Sequence, residues 1–341
     1  MKPKVKRSPK KEFDYDLKLV EHQNENKLLR QKYNKAIKLI KTLEKQTEMV
    51  SGMRSTLKVS QIKPKLGSKD SEATCVWVAS DWHVEENVDP KVVLGLNEYN
   101  MKLSKERSEQ FFRTGLRITN ILSKDIAIDT IVIALLGDFI TNDIHDELVE
   151  INEVGPMHAA IYAQNLIASG IQYVLDNSEY NIVIPCHSGN HGRTTKTSQM
   201  STENAHSLEF FMYTYLADHF KHEKRIKFLI ADGFISYVDI YDFKIRFMHG
   251  HTVRYGGGIG GMTIPINKAI AGWDSTGHAD ITVMGHFHSY FDGGNFIVNG
   301  SMIGYNAYAL SIKARFEKPK QALFLIDKKR GKTMTCPIMF D

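Results

Sequence analysis

Five short segments of this chain end in residues of the kinds that bind divalent metals or protonate a leaving group. They are Asp81-Trp82-His83, Gly137-Asp138, Ser188-Gly189-Asn190-His191, His249-Gly250-His251 and Gly285-His286-Phe287-His288. A mixture of carboxylate, imidazole and amide oxygen suits Mn²⁺, Fe²⁺ or Zn²⁺ and suits calcium poorly. Residues two apart at the end of an extended segment point the same way, so Asp81 with His83, or His286 with His288, can grip neighbouring positions. Nothing resembles a structural zinc site, because Cys75, Cys186 and Cys336 do not cluster with the histidines.

Other polar residues near these segments carry two readings each. His251 is a partner of the ligands or a polar turn residue. Asn142, Asp143 and His145 open a predicted helix as its cap, with a substrate contact as the alternative. The run 255–262, with Gly257, Gly258 and Gly260 among its glycines, carries too high an entropic cost for regular structure. It is either a surface loop or an anion-binding lid over the metals.

For the five segments to meet, each must leave a strand at the same edge. Val/Ile-rich runs at 74–80, 130–136, 181–186, 243–248 and 281–284 lead directly into them, as strands buried on both faces should. Stretches 104–123, 156–176 and 202–221 have helical periodicity, which gives the alternation of an α/β protein. In such sheets sites form beyond the carboxyl ends of the strands, so the segments can converge on one crevice. Glycines 137, 189, 250 and 285 permit tight turns and close approach to a bound anion. The region 295–340 alternates more and should add further strands.

In this order, D-x-H, G-D, G-N-H, H-G-H and G-H-x-H resemble the motif set of the calcineurin-like metallophosphoesterase superfamily, over roughly residues 74–303. The resemblance implies a β-sandwich flanked by helices. It implies one metal held by Asp81, His83, Asp138 and His288, and a second by Asp138, Asn190, His249 and His286, with Asp138 bridging and Mn²⁺ the expected ion. The residue matching His191 would stabilise the transition state or protonate the leaving oxygen. Two cations ~3.5–4 Å apart would clamp an anionic phosphodiester and generate the attacking hydroxide. One departure stands out: family members commonly carry Asp or Glu directly after the G-N-H histidine, whereas this chain has Gly192 and then Arg193. Either another carboxylate supports His191, or Arg193, planar and bidentate towards phosphate, takes part of the charge stabilisation. The D-R-G of protein Ser/Thr phosphatases is absent after Gly137-Asp138, where Phe139-Ile140-Thr141-Asn142 stands.

Charge is unevenly spread. Residues 1–70 hold 19 Lys/Arg against 8 Asp/Glu, and the rest of the chain 25 against 31. Residues 1–14 read as a basic tail, 15–57 as a long helix with an interrupted 4-3 seam that suits a weak coiled-coil dimer or docking equally well, 58–72 as a linker, and 73–341 as the catalytic domain. Scattered cysteines fit a reducing compartment, and no apolar run approaches the ~18 residues of a membrane span, so a cytoplasmic protein is expected.

The leading expectation is therefore a phosphodiesterase acting on DNA, resembling the SbcD-like nucleases, with the basic segment supplying salt-dependent phosphate contacts. A small-nucleotide phosphodiesterase or phosphatase is the enzymatic alternative. A binding scaffold that has lost its chemistry, recruited to a partner through residues 15–57, is the alternative of another class.

Overall fold

The computed structural model describes residues 71–254 and 261–340, strand 60–62, and helical positions scattered between 27 and 41. The chain divides into Met1–Thr56 and Leu57–Asp341. In the first unit Lys27, Leu29, Arg30, Lys32, Tyr33, Asn34, Lys35, Ile37 and Lys41 are helical. The basic tail and most of the expected seam lie outside the described residues.

The larger unit is a sandwich of two six-stranded sheets. Its strands are β1 (Ser60–Ile62), β2 (Ala73–Ala79), β3 (Thr130–Leu135), β4 (Asn181–Cys186), β5 (Ile226–Ile230), β6 (Ser236–Ile240), β7 (Phe243–Phe247), β8 (Ile281–Met284), β9 (Phe291–Asp292), β10 (Phe296–Val298), β11 (Lys320–Gln321), β12 (Leu323–Asp327), β13 (Gly331–Thr335) and β14 (Ile338–Met339). One sheet runs β13-β12-β2-β3-β4-β5 and the other β1-β6-β7-β8-β10-β9, while β11 and β14 pair separately. From β2 to β5 the first sheet is parallel, with β12 antiparallel to β2. In the second, β7, β8 and β10 are parallel.

The helices are α1 (Met101–Leu122), α2 (Asp146–Ile151), α3 (Pro156–Asp176), α4 (Leu208–His219), α5 (Thr263–Asp274) and α6 (Ala307–Ser311). Asn100 starts α1 by accepting from the Leu103 N–H at 3.0 Å, and Ser207 starts α4 by accepting from Phe210. Along α1, Ser104, Arg107, Ser108, Phe111, Phe112, Leu116 and Thr119 recur at helical spacing on the buried face.

Alternation along the strands assigns side chains to two cores. Cys75, Trp77 and Ala79 of β2 point to the helices, with Phe111, Phe112, Ile167 and Ile171. Val76 and Val78 point between the sheets, towards Val238, Ile245, Phe247, Ile281 and Val283. Each such side chain contributes about 1.5–3 kcal/mol when fully buried. Met248, Ile266, Ile270, Met284 and Phe296 form a third cluster under α5. Layers of helix, sheet, sheet and helix result.

Three sequence expectations are corrected. Ser60–Ile62, inside the expected linker, is strand β1 and pairs in parallel with Ser236–Ile240. The unpaired edge of β6 offers backbone partners that outweigh the local Pro and Gly signals. Strands β5 and β6 were not expected, because Lys227 and Asp239 interrupt their apolar pattern near sheet edges. The expected helix at 202–221 shortens to a 3₁₀ turn, Asn204–His206, followed by α4. No helix among the described residues is long and apolar enough to cross a membrane.

Candidate dinuclear metal site

The ligand segments follow β2, β3 and β4 of one sheet and β7 and β8 of the other, so the crevice is assembled across the sandwich. Asp81, His83 and His288 present ligand atoms to one another, as do His83, Asp138 and His191, and Asp138, His249 and His286. Asp138 is common to the last two groups. Asn190 joins through its Oδ1, 3.2 Å from His249 Nε2, and Asp138 Oδ2 lies 3.0 Å from the same nitrogen. On the other side His83 Nε2 faces His288 Nε2 at 3.2 Å, and His288 Nε2 is 3.4 Å from Asp81 Oδ1.

Backbone conformation sets these side chains. Asp81, His83, Asp138, His286 and His288 all have left-handed φ, between 50° and 71°. Non-glycine residues held there cost about 1–3 kcal/mol each and persist only where surrounding structure fixes them. Here the fixing groups are visible. The His286 N–H donates to Asp81 Oδ1 at 3.0 Å, and the His191 N–H to Asp138 Oδ1 at 2.8 Å. Gly137 and Gly189 allow the β3 and β4 loops to touch: a Cβ on Gly137 would lie 2.2 Å from Gly189 N, and one on Gly189 2.0 Å from Asp138 Oδ1. At these two positions the glycines serve loop-against-loop packing.

Partners behind the ligands select ring tautomers. Thr141 Oγ1 gives its one proton to Glu86 Oε2 (3.2 Å), so it accepts from His83 Nδ1 at 3.1 Å and leaves Nε2 as the ligand atom. Asn306 in turn holds Glu86 Oε1 at 2.8 Å. The Leu136 carbonyl accepts from His249 Nδ1 at 2.6 Å, freeing Nε2 there as well. Asp81 Oδ2 accepts from Ser80 Oγ, itself held by Asn299 Nδ2 at 2.8 Å.

His191 is oriented by a backbone group: its Nδ1 donates to the Thr141 carbonyl at 2.8 Å, leaving Nε2 free. That carbonyl occupies the place expected of a carboxylate. Asn142, left-handed at φ 60°, donates its amide to the carbonyls of His191 and Arg193 at 2.7 and 2.8 Å. Its expected role as a helix cap is corrected, since α2 starts only at Asp146 and the side chain is committed to the His191 loop. His145 is the residue before α2, is exposed and makes no capping bond. Arg193 donates to the Asn190 carbonyl at 2.5 Å, and its Nε is buried with no partner among the described residues. His251 sits beside the site, its Nε2 3.2 Å from Glu203 Oε1, and joins no ligand cluster among the described residues. Gly257, Gly258 and Gly260 lie outside the described residues, and the lid expectation with them.

Sequence reasoning missed Glu209. This fully buried α4 residue accepts from the Phe139 N–H at 2.6 Å and the Gly189 N–H at 2.7 Å, one from each of the touching loops. A glutamate in the first turn of a helix gives no signal of such a role.

The donor set fits divalent cations. Burial pulls His83 and His286 well below their ordinary pKa, aided by neighbouring imidazoles, which favours the neutral rings that a cation requires. Burial also pulls His249 down, but the Asp138 carboxylate outweighs it and pushes it up to about 10. Burial pushes Asp138 up, and His249 outweighs it to hold the carboxyl well below the usual range. Burial, then the charge on Asp138, pushes Glu209 up to about 8.

Two stacked six-stranded sheets thus bring carboxylate, imidazole and amide groups of metal-binding kinds to one crevice. No protein-family model and no curated protein matches the chain. Solved structures give distant likenesses. A hypothetical protein, PH1004 from Pyrococcus horikoshii, is 13% identical over 79% of this chain and 89% of its own, with a TM-score of 0.36. A dimetal phosphatase from Danio rerio is 10% identical over 79% and 99%, with 0.35. Vps29 from Chaetomium thermophilum is 11% identical over 78% and 96%, with 0.31. Likenesses this remote establish no activity for this chain.

Proposed function

We propose that the chain is a dinuclear metal-dependent phosphodiesterase acting on nucleic acid, with Mn²⁺ as its working ion and DNA as its substrate. The observation that carries this reading is the position of Asp138, whose carboxylate belongs to two overlapping ligand groups and so can bridge two ions. Asp81, His83 and His288 would hold one ion with Asp138, and Asn190, His249 and His286 would hold the other.

When bound, the pair of ions supplies charge neutralisation for the phosphate and an acidified water. The chain's own residues do the rest. Asp138 fixes His191 through its backbone N–H, and the Thr141 carbonyl fixes the ring. The free Nε2 then hydrogen-bonds the phosphoryl group and, when protonated, passes its proton to the leaving alkoxide. Asn142 holds the two carbonyls of that loop still. Arg193 Nε, buried and unpartnered among the described residues, supplies a donor to the substrate anion. The basic segment 1–70 adds sequence-independent contacts to the nucleic-acid backbone.

The test is hydrolysis of bis-p-nitrophenyl phosphate, p-nitrophenyl phosphate and end-labelled single- and double-stranded DNA by the full chain, with Mn²⁺ and with EDTA. The expected result is Mn²⁺-dependent cleavage of the diester and of DNA. Diester cleavage with DNA untouched would move the reading to small nucleotides. Tight metal binding with no hydrolysis of any substrate would overturn it in favour of a scaffold.

A further inference from the structure

Residues 306–320, at the rim of the site, form a basic stretch in a body that is acidic as a whole. Beyond residue 70 acids outnumber bases, yet this stretch has Lys313, Arg315, Lys318 and Lys320 against Glu317 alone. Both of its ends are tied to the metal site. Asn306 caps α6 by accepting from Ala309 and donates to Glu86, the residue that holds Thr141 and through it His83. At the far end Glu317 accepts from the Tyr290 N–H at 3.1 Å, two residues beyond His288, and Lys320 lies over the Tyr290 ring.

Between these anchors the side chains face solvent. Lys313, Arg315 and Lys318 are exposed and make no ion pair or side-chain hydrogen bond among the described residues, while Glu317 is engaged by Lys320. Two exposed aromatic rings share the stretch with them, Tyr308 ahead of the three cations and Phe316 among them. Tyr308 is 69% exposed and Phe316 43%, the latter braced edge-on against Tyr305 at 5.6 Å. Tyr305 is itself pinned by its hydroxyl to the Ala314 carbonyl. The surface thus offers unpaired cations together with exposed rings, beside a site that would cut phosphodiesters. A solvated charged loop would need neither the exposed rings nor two anchors on the ligand network.

We propose that residues 306–320 form a track for single-stranded nucleic acid leading into the metal site, with Lys313, Arg315 and Lys318 holding backbone phosphates and Tyr308 and Phe316 stacking on bases. The inference rests on the phosphodiesterase reading above and deepens it by naming the strand state of the substrate. Cations along a groove track the backbone, and aromatic faces accept any base because every base has a π-face. Double-stranded DNA, whose bases are already stacked, gains nothing from the rings.

The experiment compares the full chain with a Lys313→Ala/Arg315→Ala/Lys318→Ala variant and with Tyr308→Ala, all exposed positions. KM and kcat are measured with Mn²⁺ on bis-p-nitrophenyl phosphate and on a mixed-sequence single-stranded oligodeoxynucleotide over a range of salt. The triple variant should raise KM for the oligonucleotide by roughly tenfold or more and flatten its dependence on log salt by about 2, at ~0.7 for each phosphate no longer held. Tyr308→Ala should raise that KM by about tenfold with the salt slope unchanged. Hydrolysis of the small diester should stay within about twofold in both variants. Unchanged oligonucleotide KM and slope in active variants would overturn the track and leave the nuclease reading standing. An equal loss on the small diester would overturn it too, since the loop would then act by shaping the metal site. Wild-type protein that cleaves the diester but neither binds nor cuts the oligonucleotide would defeat the nucleic-acid reading itself.

Discussion

The Glu209 side chain fills the space that any side chain at position 192 would need: a Cβ on Gly192 would lie 2.9 Å from Glu209 Cγ and 3.0 Å from its Oε2. The carboxylate that the motif resemblance leads one to expect just after the G-N-H histidine is absent from the loop, and a carboxylate from α4 stands against that position. It does not hold the His191 ring, which the Thr141 carbonyl orients. It clamps the backbone of both loops through Phe139 and Gly189.

Removing the clamp should misplace Asp138 and Asn190 without removing them. Glu209→Ala leaves two buried N–H groups unpaired, a cost of about 1–3 kcal/mol each, and should cut turnover roughly 10–100-fold through displaced ligands. Glu209→Gln keeps the size but presents an NH₂ to one of the two donors, so it should fail to restore turnover. Full activity in the Gln variant would show that packing alone matters. Gly192→Ala should impair the wild type more than it impairs Glu209→Ala, and a double-mutant cycle on thermal stability measures that coupling.

Metal retention separates the roles of Asp138 and His191. Asp138→Asn should weaken both ions and abolish activity, whereas His191→Ala should retain metal content and lose roughly 10²–10⁴-fold in turnover. Elemental analysis after dialysis, alongside kcat on bis-p-nitrophenyl phosphate, checks this. Equal metal loss in the two variants would contradict the assignment.

Acid sensitivity should have a component far from the site. Burial pushes Asp327 up, but hydrogen bonds from Ser71 Oγ and from the N–H groups of Lys329 and Arg330 outweigh it and lower its pKa. A depressed folded-state pKa means the stabilisation is fully present above the unfolded value of ~3.9 and is lost as pH falls through the folded value. Asp327→Asn should therefore cost about 1 kcal/mol at neutral pH and much less well below the ordinary carboxylate range. Melting of both proteins in EDTA at the two pH extremes tests it; a gap that does not narrow in acid would count against it.

Thiol chemistry offers a check on the core. Cys75 is buried and its thiol pushed up to about 11 by that burial, Cys186 is buried and likewise raised, and Cys336 is exposed. Since the thiolate is the reactive form, the native protein should label quickly at one cysteine and the denatured chain at three. Peptide mapping after brief alkylation identifies which; early labelling of Cys75 would be inconsistent with the β2 packing.

That Asp81, His83, Asp138, Asn190, His249, His286 and His288 would meet was legible because strand ends place side chains at fixed offsets from apolar runs. The runs at 130–136, 181–186 and 281–284 are recovered almost residue for residue as β3, β4 and β8. Both faces of β3 and β8 are buried, so their patterns carry no charged interruptions. Strands β1 and β5 were not legible, since edge pairing satisfies the backbone whatever the side-chain pattern, and Asp239 breaks the apolar pattern of β6.

The sequence by itself determined the ligand types, their order, and the strands that deliver them, because these follow from side-chain chemistry and local periodicity. Only the tertiary structure decided what supports those ligands. Asp81 to Gly285 and Glu209 to Phe139 meet across long sequence separations, and the orienter of His191 is a backbone carbonyl, a group that every residue possesses and no sequence pattern can mark.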